Sequence, residues 1–437
     1  MKIIFINVGT LNINDDHLEP PLGILYLCSN LRKNGYNNIS VYDMTGCKTN
    51  KEIETKINEI PIADIYSFTT YCTNYINIKK CINQIRNKYP NAFIVLGGPN
   101  ASALPQYTIE DSKCDFVIVG EGENSLIYLL NEIEKMPIRN EYYTNLPTWM
   151  RILEPTPYKN IDDLPIPSWD LVNLDNYTRV LNGERVISIL SSRGCPNRCT
   201  HCNSVIMGGG HKIRFRSVNN IIEEIKYLQS LGYNSFRFND DNFACRGNLK
   251  ELTSEIKKLN IKYRIFAHIR DLTDETCKLL SESGCVHISI GIESMNSDNL
   301  KFLRKNTNVE IVDVNLRNVK RYGMISRVYF ILGLPHDTNE TIEKYFFIAS
   351  LLPFDEYAIY PLLPYPGTEI YKHPEKYGYT IIEKDWTKYY QIGENRSTCF
   401  SLDHTNFTHK DVERWLKYVY NLFEKRNKIH NSRSLTK

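Results

Sequence analysis

Short apolar runs alternate with helix-period segments along most of the chain, and that alternation constrains the fold more than any other feature. "KIIFINV" (2–8), "NISVYDM" (38–44), "DIYSFTT" (64–70), "AFIVLGGP" (92–99) and "DFVIVGEGE" (115–123) read as strands buried on both faces. Between the first two, residues 22–35 set Leu22, Leu25, Cys28, Ser29 and Leu31 at helical spacing and stop at Gly35. The pattern predicts a doubly wound, Rossmann-like α/β domain over 1–137. Sheets of this kind bind ligands beyond the carboxyl ends of their strands, where "GGP" (97–99) and "GEGE" (120–123) fall.

The rhythm breaks over 138–185, where Pro155, Pro157, Pro165 and Pro167 favour an extended path and predict a linker. It resumes with "RVISILSSRGC" (185–195) and recurs at 235–243, 262–268, 286–294, 326–335 and 355–368. Six strand–helix units predict a partial (β/α)6 barrel over 186–380. The intervening helices fit: Ile221, Ile222, Ile225 and Leu228 share one face of a segment that stops at Gly232. Residues 381–437 are expected to form a small helical region, with Val412, Trp415, Leu416, Val419, Leu422 and Phe423 docking the last helix on the core.

Directly behind the first barrel strand stands "SSRGCPNRCTHCN" (191–203), with Cys195, Cys199 and Cys202 in the spacing C-x-x-x-C-x-x-C. In barrels of this type chemistry sits on the loops after the strands. Three thiolates from one loop can hold three corners of an iron–sulfur cube and leave the fourth iron open. An open coordination position is where a co-substrate binds a metal. Two other readings of the same residues are a zinc site completed by His201 or His211, and three unrelated core cysteines. The remaining nine of the twelve cysteines are scattered singly and read as buried thiols in a reducing cytosol.

The loop resembles the cluster-binding motif of the radical S-adenosylmethionine superfamily. That resemblance implies a 4Fe-4S cluster on Cys195, Cys199 and Cys202, with the open iron chelated by S-adenosylmethionine, whose cleavage yields a 5′-deoxyadenosyl radical. It implies further that His201, in place of the family's usual aromatic residue, contacts the adenine region, and that Asp240 or Asp241 in "FNDDNF" (238–243) accepts from the methionine ammonium. Glu293, in "SIGIES" (289–294), is then expected at the ribose or methionine end. Arg327, on the fifth strand, is expected to pair with the methionine carboxylate. For Asp240 and Asp241 a helix cap, and for Arg327 a structural role, are the plain alternatives.

Further upstream, "PPLGILYLCSNLRKNGY" (20–36), "GGPNASALP" (97–105), "VGEGENSL" (119–126) and "IDDLPIPSWDLVNL" (161–174) resemble the cobalamin-binding domain and linker that precede the barrel in one large subfamily, the class B methyltransferases. The resemblance implies a corrin resting on Thr69, Thr70, Gly97, Gly98, Pro99, Gly120 and Gly122, the glycines leaving backbone bare for a flat macrocycle. The D-x-H-x-x-G motif that gives mutases a cobalt-ligating histidine is absent: Asp15 and His17 are followed by Glu19 and Pro20.

The resemblance thus implies a cobalamin-dependent radical enzyme that methylates an unactivated carbon of a small molecule or peptide by way of methylcobalamin, or that performs a cyclisation or rearrangement. It implies flavodoxin or ferredoxin as electron donor. A methylthiotransferase would need a cysteine in the loop 9–17, which has none. A non-catalytic carrier would use four cysteine ligands, and a cobalamin sensor would need no radical cluster. With 53 Lys and Arg against 50 Asp and Glu, no broad attraction to nucleic acid is expected. No apolar stretch approaches the roughly 18 residues that span a bilayer, and a cytoplasmic protein is expected.

Overall fold

The computed structural model describes residues 1–10, 15–135, 139, 143, 145–207, 212–389 and 399–434. The first sheet is formed by β1 (Ile3–Asn7), β2 (Ile39–Asp43), β3 (Ile65–Thr69), β4 (Phe93–Gly97), β5 (Phe116–Ile118) and β6 (Ile152–Leu153). All neighbours run parallel in the order β2-β1-β3-β4-β5-β6. Five of these strands lie where the apolar runs predict them. The sixth lies inside the proline-containing segment, so 138–185 is more than a connector: it adds an edge strand, the place where a ladder tolerates nearby proline.

Helix Leu22–Lys33 explains how the two halves cohere. One face, with Ile24, Cys28 and Leu31, packs on the first sheet. Leu22, Leu25 and Tyr26 pack instead in the core that contains Ile187, Ile189, Phe236 and the linker's Trp169. A helix apolar on two faces cannot be satisfied by one sheet, so it holds the domain against the barrel.

The second sheet has the order β15-β14-β13-β12-β11-β8-β7. Six parallel strands, β8 (Glu184–Ile189), β11 (Ser235–Phe238), β12 (Lys262–His268), β13 (Cys285–Glu293), β14 (Ile325–Leu332) and β15 (Glu356–Pro361), follow chain order as a half-barrel. The short β7 (Val180–Leu181) pairs antiparallel with β8 through a turn at Asn182 and Gly183, both at positive φ. Between β8 and β11 lie two further short strands, β9 (Ser192–Arg193) and β10 (Arg214–Phe215), paired antiparallel with each other.

The last helix, His409–Ser434, buries Val412, Leu416, Val419 and Phe423 against Phe330, Phe346 and Phe354. Ahead of it β16 (Tyr379–Ile381) pairs antiparallel with β17 (Leu402–His404). That hairpin bridges residue 380, where the barrel was expected to end. No helix among the described residues is long and apolar enough to cross a membrane.

Candidate functional site

The cysteine loop leaves the carboxyl end of β8 and is pinched at its base by the β9–β10 pair. Asp240, two residues past the end of β11, fastens that base. It accepts from the Ser191 amide at 2.7 Å, from Ser191 Oγ at 2.5 Å and from Ser192 Oγ at 2.6 Å. Arg246 donates to Ser191 Oγ from the other side at 2.9 Å. With both oxygens taken up and the residue 1% exposed, Asp240 positions the loop instead of facing the cleft. Asp241 does face it, with burial pushing its carboxyl up against a hydrogen bond from Ser204.

Cys195, Cys199 and Cys202 are all half-buried. The Cys202 amide donates to the Cys199 carbonyl at 3.3 Å, and Thr200 is tied by its amide to the Leu303 carbonyl at 3.2 Å. The three thiols are near enough to influence one another's ionisation. Among the described residues no three His, Cys, Asp or Glu side chains converge on a single-ion site, and His211 lies outside them. Burial pushes the Cys199 thiol up to about 11, opposed by the Lys305 ammonium. A loop of three partly buried thiols beside a fixed cation fits the anionic ligand set of an iron–sulfur cluster.

Lys305 was invisible as a site residue in the sequence, one charged group in the run "KFLRKN". It is buried against Glu293, Nζ to Oε1 at 2.9 Å. Glu293 has a φ of 69°, a backbone conformation rare outside glycine. A Cβ on Gly291 would stand 2.2 Å from Glu293 Oε1 and 2.8 Å from Lys305 Nζ, so the bare glycine is what admits the pair over the strand. Desolvation pulls the half-buried His201 imidazole down, opposed by Glu293, and its buried Nδ1 has no hydrogen-bond partner in the structure. His201, Glu293 and Lys305 therefore form one largely shielded group beside the thiols.

Arg327 does not join them. It is the third residue of the eight in β14, five residues or about 17 Å from the carboxyl end of that strand. Its closest carboxylate is Glu356 at 3.8 Å. The barrel face opposite the core carries it with the other arginines described below.

On the α/β side, Thr69, Gly97, Gly98, Pro99, Gly120 and Gly122 line a cleft of about 830 Å³. Thr70 does not. It is wholly buried, donating to the Gly97 carbonyl at 2.7 Å and accepting from the Ala101 amide at 2.9 Å, so it shapes the β3–β4 loops from beneath. The glycines differ as well. Gly98, at φ +90°, is required by the fold, because a Cβ would stand 2.7 Å from the Thr70 nitrogen. At Gly97 a Cβ would meet only the Ile118 carbonyl at 3.6 Å, so nothing but the open cleft needs its absence. That bare floor fits a flat corrin. His17 stacks on Tyr177 and meets Thr45 Oγ1 through Nδ1 at 2.7 Å.

The same cleft reaches Gly194, Asn203, Ser204 and Asp241 of the barrel. Its two walls are fastened by buried ion pairs missed in the sequence: Arg193 to Glu123 at 2.7 Å and to Glu121 at 3.1 Å, and Arg214 to Glu121. The glutamates were legible only as part of "GEGE", and the arginines only as flanks of the cysteine loop.

Comparison with known proteins agrees with this division. Residues 189–348 match the Radical SAM superfamily, and residues 10–130 match the B12 binding domain. An uncharacterized methyltransferase of Pyrococcus horikoshii, PH0819, is 28% identical over 423 residues, 94% of this chain and 89% of that protein. The anaerobic magnesium-protoporphyrin IX monomethyl ester cyclase of Cereibacter sphaeroides is 24% identical over 369 residues, 79% of this chain and 59% of that protein. Among solved structures, the radical S-adenosylmethionine methyltransferase TsrM of Kitasatospora setae, with cobalamin and a [4Fe-4S] cluster bound, superposes with a TM-score of 0.65 at 18% identity, covering 86% of this chain and 79% of that one. The chain carries a Radical SAM domain over 189–348 with a B12 binding domain ahead of it over 10–130.

Proposed function

We propose that the protein is a cobalamin-dependent radical S-adenosylmethionine methyltransferase acting on a carbon of a small-molecule or peptide substrate. The observation that carries this reading is the cleft: the glycine floor at Gly97 and the residues Gly194, Asn203 and Ser204, which bracket Cys195, Cys199 and Cys202 in the chain, line one space. When bound, the cluster supplies the electron that cleaves S-adenosylmethionine, and the cobalamin carries the methyl group.

Cys195, Cys199 and Cys202 would hold the cluster, with Lys305 offsetting their negative charge and Glu293 holding Lys305 in place. Asp241, free of the ties that engage Asp240, would accept from the methionine ammonium. His201, kept neutral by burial, would contact the adenine. Thr69, Gly97, Gly98, Pro99, Gly120 and Gly122 would bear the corrin, and Arg193, clamped to Glu121 and Glu123, keeps both groups at a fixed separation. A flavodoxin or ferredoxin is the electron donor in this reading. Twelve free cysteines suit a reducing compartment.

The test is anaerobic protein produced with cobalamin and supplied with S-adenosylmethionine bearing a deuterated methyl group. About four irons and one cobalt per chain, with the label passing to cobalamin, support methyl transfer. Four irons without cobalt would keep the radical barrel and remove the methyltransferase. A second reading, cyclisation or rearrangement, is favoured by the similarity to the cyclase; cobalt retained with no label on any product would select it.

A further inference from the structure

The strand register brings an unusual set of charges onto the inner face of the half-barrel. Ser188, Arg237 and Arg264 stand side by side across β8, β11 and β12, and Arg327 stands beside Ser289 and Glu356 across β13, β14 and β15. The alternate residues Phe236, Phe238, Ile265 and Val328 point the other way into the core. Arg179, just ahead of β7, reaches the same region, where it and Arg237 both pair with Glu19. Asn239 also donates to Glu19, at 3.2 Å.

The half-buried guanidinium groups of Arg179, Arg237 and Arg264 thus share one carboxylate, Glu19, a surplus of two positive charges, while Arg327 and Glu356 meet at 3.8 Å at a more exposed position. Arg264 has the weakest support. Its Nη2 donates to Ser289 Oγ at 3.1 Å, and among the described residues no carboxylate lies within ion-pair reach of it. Burial and the like charges of Arg237, Arg179 and Arg327 depress it to about 10. The Nε atoms of Arg237 and Arg327 are buried without an acceptor. Charges taken out of water are ordinarily paired, so an interior left this electropositive is short of an anion.

The location says whose anion. Arg179, Arg237, Glu19 and Asn239 line the cleft that also holds Asp241 and Gly97. We infer that the inner face of the half-barrel binds an anionic group of the substrate, a carboxylate or a phosphoryl, through Arg179, Arg237 and Arg264. The guanidinium fork matches two oxygens of either group, and a ligand anchored there extends toward the cysteine loop. Calling that ligand the substrate rests on the methyl-transfer reading of the cleft; the anion site itself does not.

The experiment is calorimetric titration of inorganic phosphate and, separately, acetate into the full-length protein in low-chloride buffer, for the wild type, Arg264→Gln and Arg264→Lys. Saturable binding to the wild type, about tenfold weaker in Arg264→Gln and partly recovered in Arg264→Lys, is expected, with the preferred probe naming the anion class. Without anion, Arg264→Gln should melt at a higher temperature than the wild type, because it removes an unneutralised, half-buried charge; a lower melting temperature would mark a purely structural arginine and overturn the proposal. Failure of both probes to bind the wild type, or equal phosphate affinity in Arg264→Gln, would overturn it too. So would a loss of S-adenosylmethionine affinity parallel to that for phosphate, which would give the arginines to the methionine carboxylate. Methyl transfer enters none of these readouts, so either reading can fail alone.

Discussion

Arg193 and Glu123 meet at 2.7 Å across the seam between the half-barrel and the α/β domain, with 12% and 6% of their side chains exposed. The arginine is the residue before Gly194 and two before the first cysteine of the loop; the glutamate opens helix Glu123–Lys135, next to the glycines of the cleft floor. One ion pair therefore couples the separation of the two walls of the cleft to the stability of the fold. Removing one partner of a buried pair strands the other charge, at a typical cost of about 3–5 kcal/mol.

Arg193→Met is accordingly expected to lower unfolding stability by at least about 3 kcal/mol, because Glu121 and Glu123 both lose it. Denaturant unfolding measures the loss. The same variant should retain less cobalt after anaerobic purification, since the wall that carries the glycines is no longer held in place. Full cobalt content with unchanged stability would show that the seam does not depend on this pair.

Gly97 and Gly98 are adjacent but should answer differently to substitution. Gly98→Ala forces a side chain into a conformation all but confined to glycine and against the Thr70 backbone at 2.7 Å, so a loss of about 2–3 kcal/mol is expected. Gly97→Val meets no atom nearer than 3.6 Å at its Cβ and should leave stability within about 1 kcal/mol, while its branches intrude on the cleft and reduce cobalamin binding. Thermal unfolding and equilibrium dialysis of cobalamin separate the two effects. Cobalamin binding unaffected by Gly97→Val would place the corrin elsewhere.

Lys305→Met should leave Glu293 buried without its cation and lower stability by about 3–5 kcal/mol. It should also make the cluster harder to reduce, because a positive charge beside the thiolates is lost. A potentiometric titration followed by electron paramagnetic resonance reads that shift toward more negative potential. An unshifted potential in a fully loaded variant would remove Lys305 from the cluster's surroundings.

These residues mark where local pattern stops being informative. The five α/β strands and six barrel strands were legible because period and length alone distinguish buried strands from amphipathic helices, and the cysteine loop because three thiols so closely spaced have few uses. Strand β6, with two residues, was too short to register among prolines. Thr70 and Asp240 lie at strand ends where ligands bind, yet each turns inward to satisfy backbone amides that only the folded loops bring to it. Lys305 reaches Glu293 from twelve residues downstream, and no spacing rule joins them. Arg237 and Arg264 did carry a signal: a charge on alternate positions of the otherwise apolar "SFRF" and "KYRIFAH" places it on the inner face of the barrel.

Asp337 provides a test by pH. Its carboxylate accepts from the Gly333 and Leu334 amides, both at 2.9 Å, and from Asn299 Nδ2 at 2.7 Å, fastening the turn after β14. Burial outweighs those bonds and pushes the carboxyl up to about 7, from 3.8 when free. The folded chain therefore keeps a proton that the unfolded chain has released between those two values. Its contribution to stability is fully present below about pH 4, declines by up to about 1.4 kcal/mol for each pH unit within the window, and is lost above about pH 7. Asp337→Asn cannot titrate, so the stability of the wild type relative to this variant should fall as pH rises from 5 to 7 and level off beyond. A difference that stays flat, or that grows with pH, would mean that the three donors hold Asp337 ionised in the folded protein.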